Sequence, residues 1–140
     1  MAWFEDLSPC DYLGIEFAPV LRSIGWLERD RSFVTGAIDR SVYDKLVELL
    51  KDPWQPAAFM GCHGCDLCQF EPEAEAANNL FIPANGLLYI CPKLILHYIN
   101  AHGYAPPGEF CEAILACPPM RSREYLKAIL ASGGGPGPTH

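Results

Sequence analysis

The sequence predicts a single α+β domain in which a cysteine knuckle, a β-hairpin and a helix follow one another and pack against further helices. Three observations carry this. Asn85-Gly86 joins two apolar runs at 80–84 and 87–91, Cys65-x2-Cys68 lies ahead of that hairpin, and several stretches around them place apolar residues at helical spacing. Helical spacing marks the helices, and continuous apolar runs around a turn signal mark the hairpin.

Taken in chain order, Leu21 to Leu27 reads as a strand, followed by the charged turn Glu28-Arg29-Asp30-Arg31. Ser41-x-x-Asp44 resembles a capping arrangement for a helix over 42–51, whose inward face is Tyr43, Leu46, Val47 and Leu50. Asp52-Pro53-Trp54 stops it, and residues 57–60 read as a short strand entering the knuckle. Asn-Gly between apolar runs is the strongest short hairpin signal, and a two-residue turn pairs Ala84 with Leu87, Ile82 with Tyr89 and Leu80 with Cys91. That register puts Pro83 where its missing N–H costs the ladder nothing, so its strand belongs at an edge.

Pro92 suits a helix start, with Leu94, Ile95, Tyr98 and Ile99 on one face and Gly103 at the stop. A helix over 109–116 follows Pro106-Pro107-Gly108 with Phe110, Ala113 and Ile114 inward, and Pro118-Pro119 ends it. A last helix over 121–131 carries the stripe Tyr125, Leu126, Ile129 and Leu130. The expected organisation is one globular domain over 1–131, with a metal-site unit over about 60–103, and a disordered Gly/Pro tail over 132–140.

Cys65-x2-Cys68 is followed after 28 residues by His97-x4-His102, two tight pairs of soft or borderline ligands. Thiolate and imidazole are what a structural zinc site uses in all four positions. Gly64 frees the backbone just before the knuckle. On an ideal helix, positions five apart point about 140° from each other, so His97 and His102 meet only if the last turn tightens or ends there. The gap between the pairs exceeds the roughly 12–15 residues of the small nucleic-acid-binding finger. Knuckle, hairpin and helix in that order are treble-clef-like, although such modules draw helix ligands from the first turn, which makes Cys91 an alternate for His102. Cys62 and His63 are further alternates from within the knuckle.

Cys62, Cys65 and Cys68 with the remote Cys91-Pro92 also imitate a ferredoxin-type iron–sulfur pattern. A redox pair is the weaker reading, because Asp66 between the cysteines opposes thiolate formation. A bland reading leaves the cysteines as buried small hydrophobes and the histidines as hydrogen-bonded core or surface residues.

Half of the 140 residues are hydrophobic, enough for a core burying about two thirds of the unfolded surface, so a metal is a local staple. A net charge of −7 and a pI near 4.9 repel phosphate backbones and anionic lipid, so neither nucleic acid nor membrane is the expected partner; another protein is. No apolar run reaches membrane-spanning length, and seven cysteines, an odd number, fit a reducing cytoplasm better than a disulfide framework. The acidic run Glu71, Glu73 and Glu75 and the basic cluster Arg121, Arg123 and Lys127 read as solvated faces.

Trp3-Phe4-Glu5-Asp6-Leu7-Ser8-Pro9, Gly25-Trp26-Leu27, Cys65-Asp66-Leu67-Cys68, His97-Tyr98-Ile99 and Tyr104-Ala105-Pro106-Pro107-Gly108-Glu109-Phe110 resemble the phrases of a small bacterial family built on a domain of unknown function. The likeness covers most of residues 3–130. It implies one domain with the metal pair and brings no reaction or substrate. No hydrolase or deaminase signature is present, so the sequence reads as a zinc-stabilised protein-interaction module. The rival is a zinc hydrolase with Cys65, Cys68 and His97 as ligands, an open position, and His102 free as a base.

Overall fold

The structure, a computed structural model, describes residues 5–9, 21–27, 31–54, 79–84 and 86–132, with the backbone alone at 63–64 and 75–76. In chain order the elements are β1 (Leu21–Ser23), α1 (Arg40–Leu49), β2 (His63–Gly64), β3 (Glu75–Ala76), β4 (Asn79–Ala84), β5 (Leu87–Pro92), α2 (Ile95–His102), α3 (Gly108–Ala116) and α4 (Arg123–Ala131). They make an α+β fold.

A three-stranded sheet in the order β1-β5-β4 forms the centre, with β4 antiparallel and β1 parallel to β5. The hairpin has the expected register, Ala84 opposite Leu87, Ile82 opposite Tyr89 and Leu80 opposite Cys91. Gly86 sits at φ 79°, the left-handed conformation such a turn requires. β4 is an edge strand, as Pro83 demands. The ladder runs one pair further than the apolar pattern suggested, to Asn79 and Pro92, so Pro92 ends a strand and α2 begins only at Ile95.

β1 stops after Ser23 because Gly25 takes φ 73°, which turns the chain out of the strand. The Ile24 N–H still reaches the Ile90 carbonyl, and the Trp26 indole N–H donates to the same oxygen at 3.0 Å. That buries the largest side chain of the core beside the sheet with its one polar atom satisfied.

α1 is capped by Asp39, whose carboxylate accepts from the Ser41 N–H, while Asp44 pairs with Arg40. Ser41 is thus inside the helix and not its cap. Its buried face is Val42, Leu46, Leu49 and Leu50, rotated by about one residue from the expected stripe. Phe110, Ala113 and Ile114 of α3 are buried as the spacing requires.

α4 starts at Arg123, since Arg121 holds φ 66° and Ser122 caps the helix by accepting from the Tyr125 N–H. Tyr125 and Ile129 face the core, but Leu126 and Leu130 are 41% and 61% exposed, so half of the expected stripe lies in solvent. Tyr125 donates its hydroxyl to the Phe81 carbonyl at 2.6 Å, on the side of β4 that has no strand partner among the described residues. Ser132 is buried and caps the C-terminus of α4 through bonds to the Ala128 carbonyl. The strand expected at 57–60 and residues 133–140 lie outside the described residues.

Candidate metal centre

His97 and His102 are both carried by α2, and their ring centroids lie 5.1 Å apart at an interplanar angle of 77°. The helix ends directly after His102, at Gly103 with φ 68°. The Gly103 N–H reaches back five positions to the Tyr98 carbonyl, which also accepts from the Tyr104 N–H at 3.2 Å. A bond of that span widens the last turn rather than tightening it. The rings, which an ideal helix would point well apart, therefore converge.

Two imidazoles bound to one tetrahedral ion at about 2.0–2.1 Å have ring centres about 5 Å apart, so the separation is of the size a shared zinc ion would need. The same separation suits an edge-to-face ring pair, which spans about 4.5–7 Å. His102 is half-buried, and burial first, then the neighbouring His97, lower its pKa from the ordinary 6.5. Both effects favour the neutral ring, the form that binds metal.

The cysteine half of the expected set, Cys65 and Cys68, lies outside the described residues, as does Cys62. His63 is described by its backbone, which pairs with Ala76 across β2 and β3, while Gly64 pairs with Glu75. Glu75 thus belongs to a strand. Cys91 sits in β5, fully buried in the hydrophobic cluster, where burial pushes its thiol far above the ordinary range. A thiol so placed suits packing as a neutral group. Among the described residues, no three His, Cys, Asp or Glu side chains gather into a metal-holding group.

A second polar cluster adjoins the end of α2, and sequence reasoning missed it. The Asp6 carboxylate accepts the Gly25 N–H at 2.9 Å on one oxygen and the Tyr104 hydroxyl at 2.7 Å on the other. Tyr104 is fully buried. Burial raises the Asp6 pKa from 3.8 against the pull of those two bonds, with Glu5 adding to the rise.

Around Asp6 the segment Glu5 to Pro9 forms a strap along β1. The Leu7 N–H donates to the Ser23 carbonyl at 2.7 Å, the Ser23 N–H to the Ser8 carbonyl at 3.0 Å, and the Ser23 hydroxyl to the Glu5 carbonyl at 2.7 Å. Leu7 holds φ 69°, a conformation that costs a branched side chain about 1–2 kcal/mol and persists only because these bonds over-determine it.

The basic cluster near the C-terminus is partly engaged. Arg121 pairs with Asp52 at 3.2 Å and donates to the Pro53 carbonyl at 3.3 Å, fastening the α3–α4 connection to the end of α1.

A family model for a domain of unknown function, DUF7919, matches residues 2–115. The chain belongs to that family. The DUF7919 match contains every candidate ligand, Asp6, Gly25 and Tyr104, and it ends within α3, leaving α4 beyond it. No curated protein and no solved structure matches the chain.

Proposed function

We propose that this chain is a zinc-stabilised protein-interaction module of the cytoplasm, with one zinc ion held in a closed site by Cys65, Cys68, His97 and His102. The observation that carries the reading is the convergence of the His97 and His102 rings to 5.1 Å at the end of a helix that follows a hairpin, in a chain that also holds a Cys-x2-Cys pair. Knuckle, hairpin and helix then form a treble-clef-like unit whose ligands come from the far end of the helix.

Zinc in small fingers is worth roughly 10–16 kcal/mol apparent. This chain already has a core of its own, built around Trp26, Ile90, Tyr98 and Tyr104, so the ion staples the knuckle to α2 and does not create the fold. Leu126 and Leu130, 41% and 61% exposed and one helical turn apart on α4, are the apolar pair that a protein partner would cover. The net charge of −7 argues against nucleic acid, and the cysteine content suits a reducing compartment.

The test is elemental analysis of the purified protein with X-ray absorption at the zinc edge. The expected result is near-equimolar zinc with two sulfur and two nitrogen ligands. An oxygen ligand in place of His102 would favour the open hydrolase site, and iron with sulfide would establish a cluster instead.

A further inference from the structure

We propose that Asp6 is a positioning residue for the metal pair, holding the C-terminal end of α2 so that the His102 ring stays beside the His97 ring. The inference rests on the zinc reading above and deepens it. Between His102 and Tyr104 stands only Gly103, in a left-handed conformation with nothing within 4 Å of where a side chain would begin. A glycine link in open space cannot fix its own torsions. Its N–H bonds to the Tyr98 carbonyl and its carbonyl accepts from the Gly36 N–H, and the remaining grip is on the residue at its far side.

Tyr104 is that residue. Its N–H closes the widened last turn on the Tyr98 carbonyl, and its hydroxyl is held by Asp6. The segment 34–36 also touches this turn, through the Gly36 N–H to the Gly103 carbonyl at 3.1 Å and the Ala105 N–H to the Val34 carbonyl at 2.9 Å. Those residues are exposed, however, with Val34 at 66%, whereas the Tyr104 ring is fully buried and its acceptor is a carboxylate. A 2.7 Å bond to a ring fixed inside the core is a stronger constraint than backbone bonds from an exposed segment.

Asp6 is itself immobilised. The strap is bonded to β1, β1 pairs with β5, and β5 leads into α2, so the contact closes a mechanical ring from sheet to strap to Tyr104 to helix end.

Three variants test this. Tyr104→Phe deletes one oxygen, and Asp6→Ala deletes the acceptor. Asp6→Asn keeps the arrangement, because its amide oxygen accepts the Gly25 N–H and its amide nitrogen donates to the Tyr104 hydroxyl. Two readouts are taken: the nuclear Overhauser contact between the two histidine rings in metal-free protein, and zinc affinity by competition with a chromophoric chelator. Tyr104→Phe and Asp6→Ala are expected to weaken the ring contact and to cost about ten-fold in zinc affinity, the lower end of the range for groups behind a ligand, with Asp6→Asn near wild type. Melting points that fall while ring contact and zinc affinity stay at wild-type values would overturn the proposal. If Asp6→Ala does not fold, the milder Tyr104→Phe decides. If the wild type binds no zinc, the zinc reading falls and the ring contact in metal-free protein alone decides the positioning role.

Discussion

The two edges of the central sheet are closed by different chemistry. Beside β1 lies the strap from Glu5 to Pro9, which carries a carboxylate to the buried hydroxyl of Tyr104; beside β4 lies α4, which brings the buried hydroxyl of Tyr125 to the Phe81 carbonyl. Both phenols are fully buried and both are bonded. One acceptor is ionisable and linked to the end of the histidine helix, and the other is a neutral carbonyl. The first closure falls within the DUF7919 match, whereas α4 lies beyond it. A sheet edge can be sealed by packing alone, so a carboxylate taken out of water at one edge asks for a further use, and the histidine pair beside it supplies one.

The largest expected difference between the two sides comes from the metal. Chelation, or Cys68→Ser, should lower the melting temperature by an amount worth several kcal/mol, short of the roughly 10–16 of small fingers because the core persists. Hydrogen exchange should locate the loss. Amides of α2 are expected to exchange faster without zinc, while those of α4 keep their protection. Equal loosening of both would break the asymmetry.

Next in size is the loss of each hydroxyl. Tyr104→Phe leaves a half-buried carboxylate short of one donor and should cost about 1.5–3 kcal/mol, whereas Tyr125→Phe removes a bond to a neutral carbonyl and should cost about 0.5–1.5 kcal/mol. Urea unfolding of the two variants measures both. If Tyr125→Phe proves the more costly, the charged closure is not the firmer one.

These contrasts were unevenly legible in the sequence. Asn85-Gly86 between two apolar runs specified the hairpin register, because a two-residue turn leaves one pairing, although the ladder extends one pair beyond those runs, and Gly103 marked the end of α2. The histidine pair was legible as ligand types at a given spacing, although the widened turn that joins the rings was not. α1 was misread by one residue because Tyr43 and Val47 are apolar enough to pass for core, and its cap because Asp39 and Ser41 both suit the role. In α4 the neighbours Tyr125 and Leu126, and again Ile129 and Leu130, satisfy helical spacing equally, and only the bond to Phe81 selects the first of each. Asp6 and Tyr104 stand 98 positions apart, and no local rule links them.

A smaller effect distinguishes the two edges by pH. Burial raises the Asp6 pKa above 3.8, so the stability this group gives is fully present below 3.8 and is lost as pH rises through its folded value. Asp6→Asn, which mimics the protonated form, should therefore gain on wild type as pH climbs through that window and then hold a constant lead. Taking the difference in melting temperature between the two proteins cancels the other carboxylates and the metal. The same comparison made with Tyr125→Phe should be flat, since no carboxylate faces that hydroxyl among its described bonds. A flat difference for Asp6→Asn would mean that the carboxylate is solvated.

The smallest expected effect lies on the outer face of α4. Leu126 and Leu130 are 41% and 61% exposed and stand four apart, so Leu126→Glu with Leu130→Lys replaces two solvent-facing leucines by a favourably oriented ion pair. Such pairs are worth about 0.2–0.5 kcal/mol, which offsets the little packing lost, and the melting temperature should stay within a degree or two. Tyr125 and Ile129 on the inner face keep the helix seated, so any large loss on this double change would show that something in the molecule covers these leucines. If stability holds and light scattering shows less self-association at high concentration, the patch is an accessible apolar surface on the edge that the neutral phenol closes, opposite the edge tied to the histidine pair.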